Sequence, residues 1–240
     1  MKVVLIQCPV WGTYDPPLAL AQLSSCLRKA GHSVFTLDLN IKFYKHRKPE
    51  YKDMWAWEHC EFWYRKEYVD KFFQDNKDLV DRFIDLIASI DSDVVCFSVA
   101  SSSRLSSITF ARLLKQKIGA IKVIFGGPLF FDIREAEKIL ENNCVDFVVY
   151  GEGEVTIGEL LGLLEQGSDV SSCKGIVYKQ NNGLINTGSR DLISNLDELP
   201  FLDFTGMPLT DYDDSTHISL MASRGCVFRC VFCSSRSVWP

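Results

Sequence analysis

No run of apolar residues in this 240-residue sequence approaches the roughly eighteen that a membrane-crossing helix needs. The opening Met1-Lys2-Val3-Val4-Leu5-Ile6-Gln7 enters a strand-length apolar run at once, without the longer apolar segment and small-residue cleavage site of a secretory signal. No face or run is dominated by Lys and Arg. With 26 basic and 31 acidic residues the net charge is -5, which leaves no electrostatic footprint for nucleic acid. A disulfide framework is also excluded, because it belongs to small secreted chains and the nine cysteines here are an odd number. A cytoplasmic, soluble protein with no membrane span is the expectation. What is present is core: 47% of residues are hydrophobic and 24% charged, enough to bury one full core and leave material for a smaller unit.

Residues 1–166 alternate strand-like apolar runs with helix-like periodic ones, which argues for an α/β fold built on a doubly wound, parallel, five-stranded sheet of Rossmann-like type. The strands are expected at 2–8, 33–38, 93–100, 122–125 and 147–150, each continuously apolar, as strands covered on both faces should be. A helix is expected over 17–30, with Leu18, Leu20, Leu23 and Leu27 at helical spacing and Gly31 as its stop. Further helices are expected over 108–118, 133–142 and 154–166.

The stretch 41–90 is too long for a simple strand-to-helix connection and dense in aromatics, among them Trp55, Trp57, Phe62, Trp63, Tyr64, Tyr68, Phe72 and Phe73. It is expected to be a helical insertion whose aromatics either pack onto the sheet domain or cap a cofactor. Residues 167–215 change character. Gly175-Ile176-Val177-Tyr178-Lys179, Asn181-Asn182-Gly183 and Leu184-Ile185-Asn186-Thr187 form a β-hairpin signal, and Leu196-Asp197-Glu198-Leu199-Pro200-Phe201 reads as an exposed linker. Residues 216–240 are expected to begin a second unit, with a strand over 217–221.

Most of the cysteines are isolated. Cys96 lies inside an apolar run and Cys26 on a helical apolar face, which suits packing. Cys226, Cys230 and Cys233 are different, because their Cys-x3-Cys-x2-Cys spacing can aim three thiolates at three corners of a cubane cluster while leaving one iron open. An open iron can chelate the amino and carboxylate groups of S-adenosylmethionine (SAM). The alternatives are a zinc site, which needs a fourth ligand such as His217, or three unrelated thiols.

The segment Ser223-Arg224-Gly225-Cys226-Val227-Phe228-Arg229-Cys230-Val231-Phe232-Cys233 resembles the cluster loop of the radical SAM superfamily, with Val227 where members often carry Pro. The resemblance implies a 4Fe-4S cluster held by Cys226, Cys230 and Cys233, with SAM as co-substrate and flavodoxin or ferredoxin as electron donor. It also implies that 216–240 is the start of a radical SAM (β/α) barrel. A barrel needs further βα units beyond Cys233, so the chain as given is expected to be a truncated part that turns nothing over by itself.

A doubly wound sheet binds ligands beyond the carboxyl ends of its strands, here the loops 9–17, 98–103, Gly126-Gly127-Pro128 and Gly151-Glu152-Gly153-Glu154. None carries the Gly-x-Gly-x-x-Gly dinucleotide fingerprint, so the glycines indicate a nucleotide-like or large planar cofactor, or plain turns. Taken with the cluster loop, Pro16-Pro17-Leu18-Ala19-Leu20, Arg28-Lys29-Ala30-Gly31-His32, the Gly126 pair, Tyr150-Gly151-Glu152-Gly153-Glu154 and Leu196-Asp197-Glu198-Leu199-Pro200 resemble the cobalamin-binding domain of one radical SAM subgroup. That subgroup includes methyltransferases and the anaerobic magnesium-protoporphyrin ester cyclase. By this resemblance Ser98, Gly126 and Gly127 line the pocket for the nucleotide tail, and Gly151 and Glu152 fall in the same cofactor site.

One departure has mechanistic weight. The loop after the first strand, Gln7-Cys8-Pro9-Val10-Trp11-Gly12-Thr13, lacks the histidine of the cobalt-ligating Asp-x-His-x-x-Gly motif, so cobalamin is expected without a lower imidazole. Trp11 either covers that lower face or is an ordinary loop aromatic, and His32, at the opposite sheet end, is expected to serve a surface or capping role. The functional expectation is the N-terminal part of a cobalamin-dependent radical SAM enzyme that generates a 5'-deoxyadenosyl radical and acts on a small molecule or peptide. The alternative is a corrinoid-binding or degenerate module without catalysis.

Overall fold

The computed structural model describes residues 1–181, 183–214, 217–228 and 230–233. The elements run β1 (Lys2–Gln7), α1 (Leu18–Lys29), β2 (Ser33–Asp38), α2 (Leu39–His46), α3 (Lys66–Asp75), α4 (Lys77–Ile90), β3 (Val94–Ser98) and α5 (Arg104–Ile118). They continue with β4 (Lys122–Gly126), α6 (Ile133–Leu140), β5 (Phe147–Val149), α7 (Gly153–Gln166), β6 (Ile176–Gln180) and β7 (Gly183–Asn186). Short 3-10 turns, including Trp57–Tyr64, join α2 to α3. Among the described residues no helix is long and apolar enough to cross a membrane.

The sheet order is β2-β1-β3-β4-β5-β6-β7, parallel through β5 and antiparallel at the last two strands. The period of two divides the apolar strands between two cores. Val4, Ile6, Val95, Phe97, Val123 and Phe125 face the insertion, α5 and α6. Val3, Leu5, Val94, Cys96, Ile124 and Val149 face α1 and α7. Because both faces are covered, these strands carry no polar alternation.

Helix α1 ends as its sequence dictates. Gly31 adopts a φ of 89°, its N–H donates to the Arg28 carbonyl, and the His32 N–H donates to the Leu27 carbonyl, closing the last turn with two otherwise orphaned acceptors. His32 is buried against the N-terminal amine at the amino end of β2. Burial and that positive charge hold its pKa below the ordinary value, in keeping with a capping role.

Two fold expectations are corrected. The sheet has seven strands instead of five, because the hairpin does not stand apart but extends the sheet through β6, paired antiparallel with β5. Ile176 and Tyr178 enter one core and Val177 the other, so β6 is covered on both faces and shields the edge of the three-residue β5. Asn182, at the hairpin turn, lies outside the described residues. The strand expected over 217–221 does not form: those residues have no strand beside them, and Ile218, Leu220 and Met221 are exposed. Residues 216 and 234–240 lie outside the described residues, as does Arg229 within the cysteine loop.

A strap over 203–213 covers the opposite edge, at β2. Arg28 donates to Asp203, Thr36 Oγ1 donates to the Thr205 carbonyl at 3.3 Å, Met207 is buried, and Lys42 pairs with Asp211 at 2.7 Å. Asp38 anchors the strap's far end: it caps α2 by accepting from the Ile41 N–H at 3.1 Å and accepts from the Tyr212 hydroxyl at 2.7 Å. Burial pushes the Asp38 carboxyl up to about 6, against the lowering effect of Tyr212, the backbone amides of Ile41 and Asn40, and Lys42. A folded pKa above the unfolded one means the ionised form destabilises the fold, so this residue's contribution declines as pH rises from about 4 through 6. Asp38→Asn is therefore expected to gain about 2 kcal/mol relative to wild type between pH 4.5 and 7.5. Urea unfolding at the two pH values measures it, and a difference that does not change with pH removes the assignment.

Candidate functional site at the strand ends

The parallel register lines up Asp38, Gln7, Ser98 and Gly126 at the carboxyl ends of β2, β1, β3 and β4. Apolar strands thus end on a polar or glycine row. Ser98 and Gly126 fall together there as expected, whereas Gln7 and Asp38 were not singled out in the sequence. The signal was available: Gln7 is the first polar residue after Val3 to Ile6, and Asp38 the first charged residue after the strand begins at Ser33.

Gly127 is demanded by the chain itself. Its φ of 103° and ψ of -175° lie in a region open essentially to glycine alone. A Cβ there would sit 2.7 Å from the Val99 nitrogen and 2.9 Å from its oxygen. The loops after β3 and β4 are further joined by the Val99 N–H donating to the Gly126 carbonyl at 2.7 Å and the Leu129 N–H donating to the Val99 carbonyl at 3.0 Å. Gly151, at φ 75°, differs, because a Cβ there would meet nothing within 4 Å.

The loop after β1 is held by Asn40, which is fully buried. Its Oδ1 accepts from the Trp11 N–H at 3.0 Å and from Trp55 Nε1 at 2.8 Å, and its Nδ2 donates to the Gly12 carbonyl at 3.0 Å. From the other side Ser102 Oγ donates to the Val10 carbonyl at 2.9 Å and Ser106 to that of Pro9. Trp11, 41% exposed as a residue, is left on this braced loop. Trp55 ties the insertion to the rim, while Trp63, Phe72 and Phe73 are buried against the sheet domain, so the insertion's aromatics chiefly pack.

The nine thiols divide by environment. Cys8, Cys96, Cys144 and Cys173 are buried, with Cys96 pushed up to about 12 by desolvation, which keeps its thiol protonated and inert. Cys226, Cys230 and Cys233 are exposed, and the Cys233 N–H closes a turn onto the Cys230 carbonyl at 3.1 Å. Among the described residues no three His, Cys, Asp or Glu side chains converge as a metal site, so the triad's thiols share a loop without being gathered. His217, the candidate fourth zinc ligand, faces Asp214 with its Nδ1 at 2.5 Å. Three exposed cysteines on one loop are a donor set that fits a three-ligand cluster.

Glu152 is buried at the start of α7, and its partners are protein groups. Its Oε1 lies 2.6 Å from Arg224 Nη1, Arg224 also pairs with Glu154, and Glu152 Oε2 accepts from the Ile193 N–H at 2.5 Å. Burial works against the charged Arg224, but the two carboxylates more than offset it and raise its pKa.

A cavity of about 640 Å³ lies between α3, α4 and α5, lined by Phe73, Lys77, Ile84 and Arg112, and another of about 390 Å³ adjoins Val155 and Asn195. Neither is lined by Trp11, Ser98, Gly126, Gly127 or Gly151. The rim offers a polar row, a braced loop on one side, and open space for a Cβ at Gly151 on the other.

The family model for the B12 binding domain matches residues 64–161, which include β3, β4 and β5. Across 98% of its length the chain is 31% identical to an uncharacterized methyltransferase of Pyrococcus horikoshii, of which it spans 45%. Across 52% of its length it is 28% identical to the anaerobic magnesium-protoporphyrin IX monomethyl ester cyclase of Synechocystis, of which it spans 26%. The chain thus spans less than half of either relative. The apo form of the cobalamin-dependent SAM radical enzyme OxsB superposes on 97% of this chain and 28% of its own, with a TM-score of 0.62 at 18% identity. The same enzyme with aqua-cobalamin and SAM bound gives 0.53 at 17% identity, over 80% of this chain and 22% of its own. At such identities the likeness is one of fold.

Proposed function

We propose that this chain, whose residues 64–161 match the B12 binding domain, binds a corrinoid across the strand-end rim and forms the N-terminal part of a cobalamin-dependent radical SAM enzyme. The reaction would be of methyltransferase or cyclase type. Cys226, Cys230 and Cys233 would hold the 4Fe-4S cluster. When bound, the cluster and corrinoid would supply the electron that cleaves SAM and the carbon chemistry that follows.

The chain's own residues would bind and orient. The polar row at Ser98 and Gly126 offers a seat for the corrinoid's polar tail, and Gly127 lets the loop after β4 lie on that after β3. Asn40 fixes the backbone of Trp11, whose ring would lie against a corrinoid face, with no histidine in that loop to ligate cobalt. The observation that carries the reading is the set of three exposed thiols on a loop tied through Arg224 to the rim at Glu152. Substrate and electron donor, such as a flavodoxin or ferredoxin, would engage the whole enzyme.

Anaerobic reconstitution with iron, sulfide and hydroxocobalamin, followed by desalting, tests it. Wild type is expected to retain both iron and corrinoid, and Cys230→Ala to lose the iron while keeping the corrinoid. Retained corrinoid without iron would favour the second reading, a corrinoid-binding module without catalysis. Zinc with neither would defeat both.

A further inference from the structure

We infer that Glu152 and Glu154 act through Arg224 as positioning residues for the cysteine loop, pinning its start to the end of β5 so that Cys226 has a fixed place relative to the rim. The inference rests on the cluster reading above and goes beyond it, because it assigns work to Glu154 and to Glu152, the second of which sequence reasoning gave to the cofactor.

Among the described residues the loop's apolar side chains are not buried against the domain. Val227, Phe228, Val231 and Phe232 are exposed, as are the three cysteines. Among the described residues Ser219 reaches Asp15 at the surface, whereas Arg224 reaches a buried pair. The Arg224 side chain is 12% exposed, and those of Glu152 and Glu154 are 6% and 10%. A guanidinium offers several donors in a rigid fork, so one residue can engage two carboxylates on separate nitrogens, a grip that a lysine cannot reproduce. The carboxylates exceed the guanidinium by one charge, and the site balances this locally. Glu152 is the N-cap of α7 and Glu154 lies in its first turn, where unpaired amides favour negative charge, and the Ile193 N–H supplies a further donor. Cys226 follows Arg224 by two residues, so fixing the guanidinium confines the first ligand.

The test compares wild type, Arg224→Gln and Glu154→Gln in the full chain, using two readouts. Without metal, chymotryptic cleavage at Leu220, Met221 and Phe228, which are exposed, is expected to speed up at least about tenfold in Arg224→Gln, because a protease must draw several residues of an unpinned loop into its cleft. Iron retained after anaerobic reconstitution with iron and sulfide and desalting is expected to fall in the same variant. Should Arg224→Gln fail to fold, Glu154→Gln removes one grip without changing volume and is expected to move both readouts in the same direction. Unchanged cleavage would overturn the pinning, and faster cleavage with wild-type iron retention would overturn the positioning role. A wild type that retains no iron would defeat the cluster reading and the positioning role together, while the cleavage arm would still report whether the loop is pinned.

Discussion

Replacing Phe72 with alanine is expected to cost about 3–5 kcal/mol of stability, the largest effect foreseen for a single side chain here. The ring is fully buried on α3 and meets six other aromatics: Phe43 at 5.4 Å, Tyr51 at 5.0 Å, Trp55 at 6.0 Å, Phe62 at 6.4 Å, Trp63 at 5.1 Å and Phe73 at 5.8 Å between centroids. All six pairs are edge-to-face, the arrangement that adds to simple burial. Rings this rigid cannot collapse into the space left by a benzyl group, so the cavity persists and its cost is paid in full. Because Trp55 also donates to Asn40, loosening this cluster should reach the loop that carries Trp11. Denaturant unfolding gives the stability change, and near-ultraviolet circular dichroism should lose aromatic signal. A cost below about 1 kcal/mol would mean that the insertion is not built around this ring.

Gly127→Ala is expected to cost about 3 kcal/mol or more and to weaken corrinoid retention, because two penalties coincide. The backbone there adopts angles that side-chain-bearing residues avoid, and the new methyl would strike Val99 nitrogen and oxygen, both backbone atoms that cannot rotate away. The loop after β4 would have to lift off the loop after β3, breaking the line from Ser98 to Gly126. Gly151→Ala is the milder comparison: it too has a positive φ but open space around it, so it should cost only about 1 kcal/mol. Unfolding of both variants with desalting in hydroxocobalamin measures the difference. Equal losses would show that neither the backbone angles of Gly127 nor its close approach to Val99 adds to the cost.

The legible parts of the fold are those where one physical cause acts locally. The five parallel strands are readable because strands covered on both faces cannot carry polar alternation, and Gly31 is readable because only a residue at ease with positive φ closes that helix end. The family resemblance carried by the short motifs is matched by the B12 binding domain and by the two relatives. The hairpin's place in the sheet was harder to read, since a turn signal predicts two paired strands but says nothing of a third beside them. Its clue was the unbroken apolar run Ile176-Val177-Tyr178. Glu152 illustrates a different limit. A carboxylate beside rim glycines suits a ligand in the sequence, but its guanidinium partner lies 72 positions further on, beyond any local pattern.

The strap along β2 also constrains the order in which the molecule can be made. Arg28 waits for Asp203, 175 residues later, and Asp38 for Tyr212, 174 residues later. β1 and β2 are therefore synthesised long before the segment that covers their outer edge, and that edge stays bare while the other parallel strands are added from the β1 side. Contacts of such long separation form late, once the closure entropy of the intervening chain has been met by the sheet itself. During translation the nascent chain would thus present an unpaired β2 to its neighbours, and crowding of ribosomes on one message is the circumstance in which it would be most prone to pair with another copy.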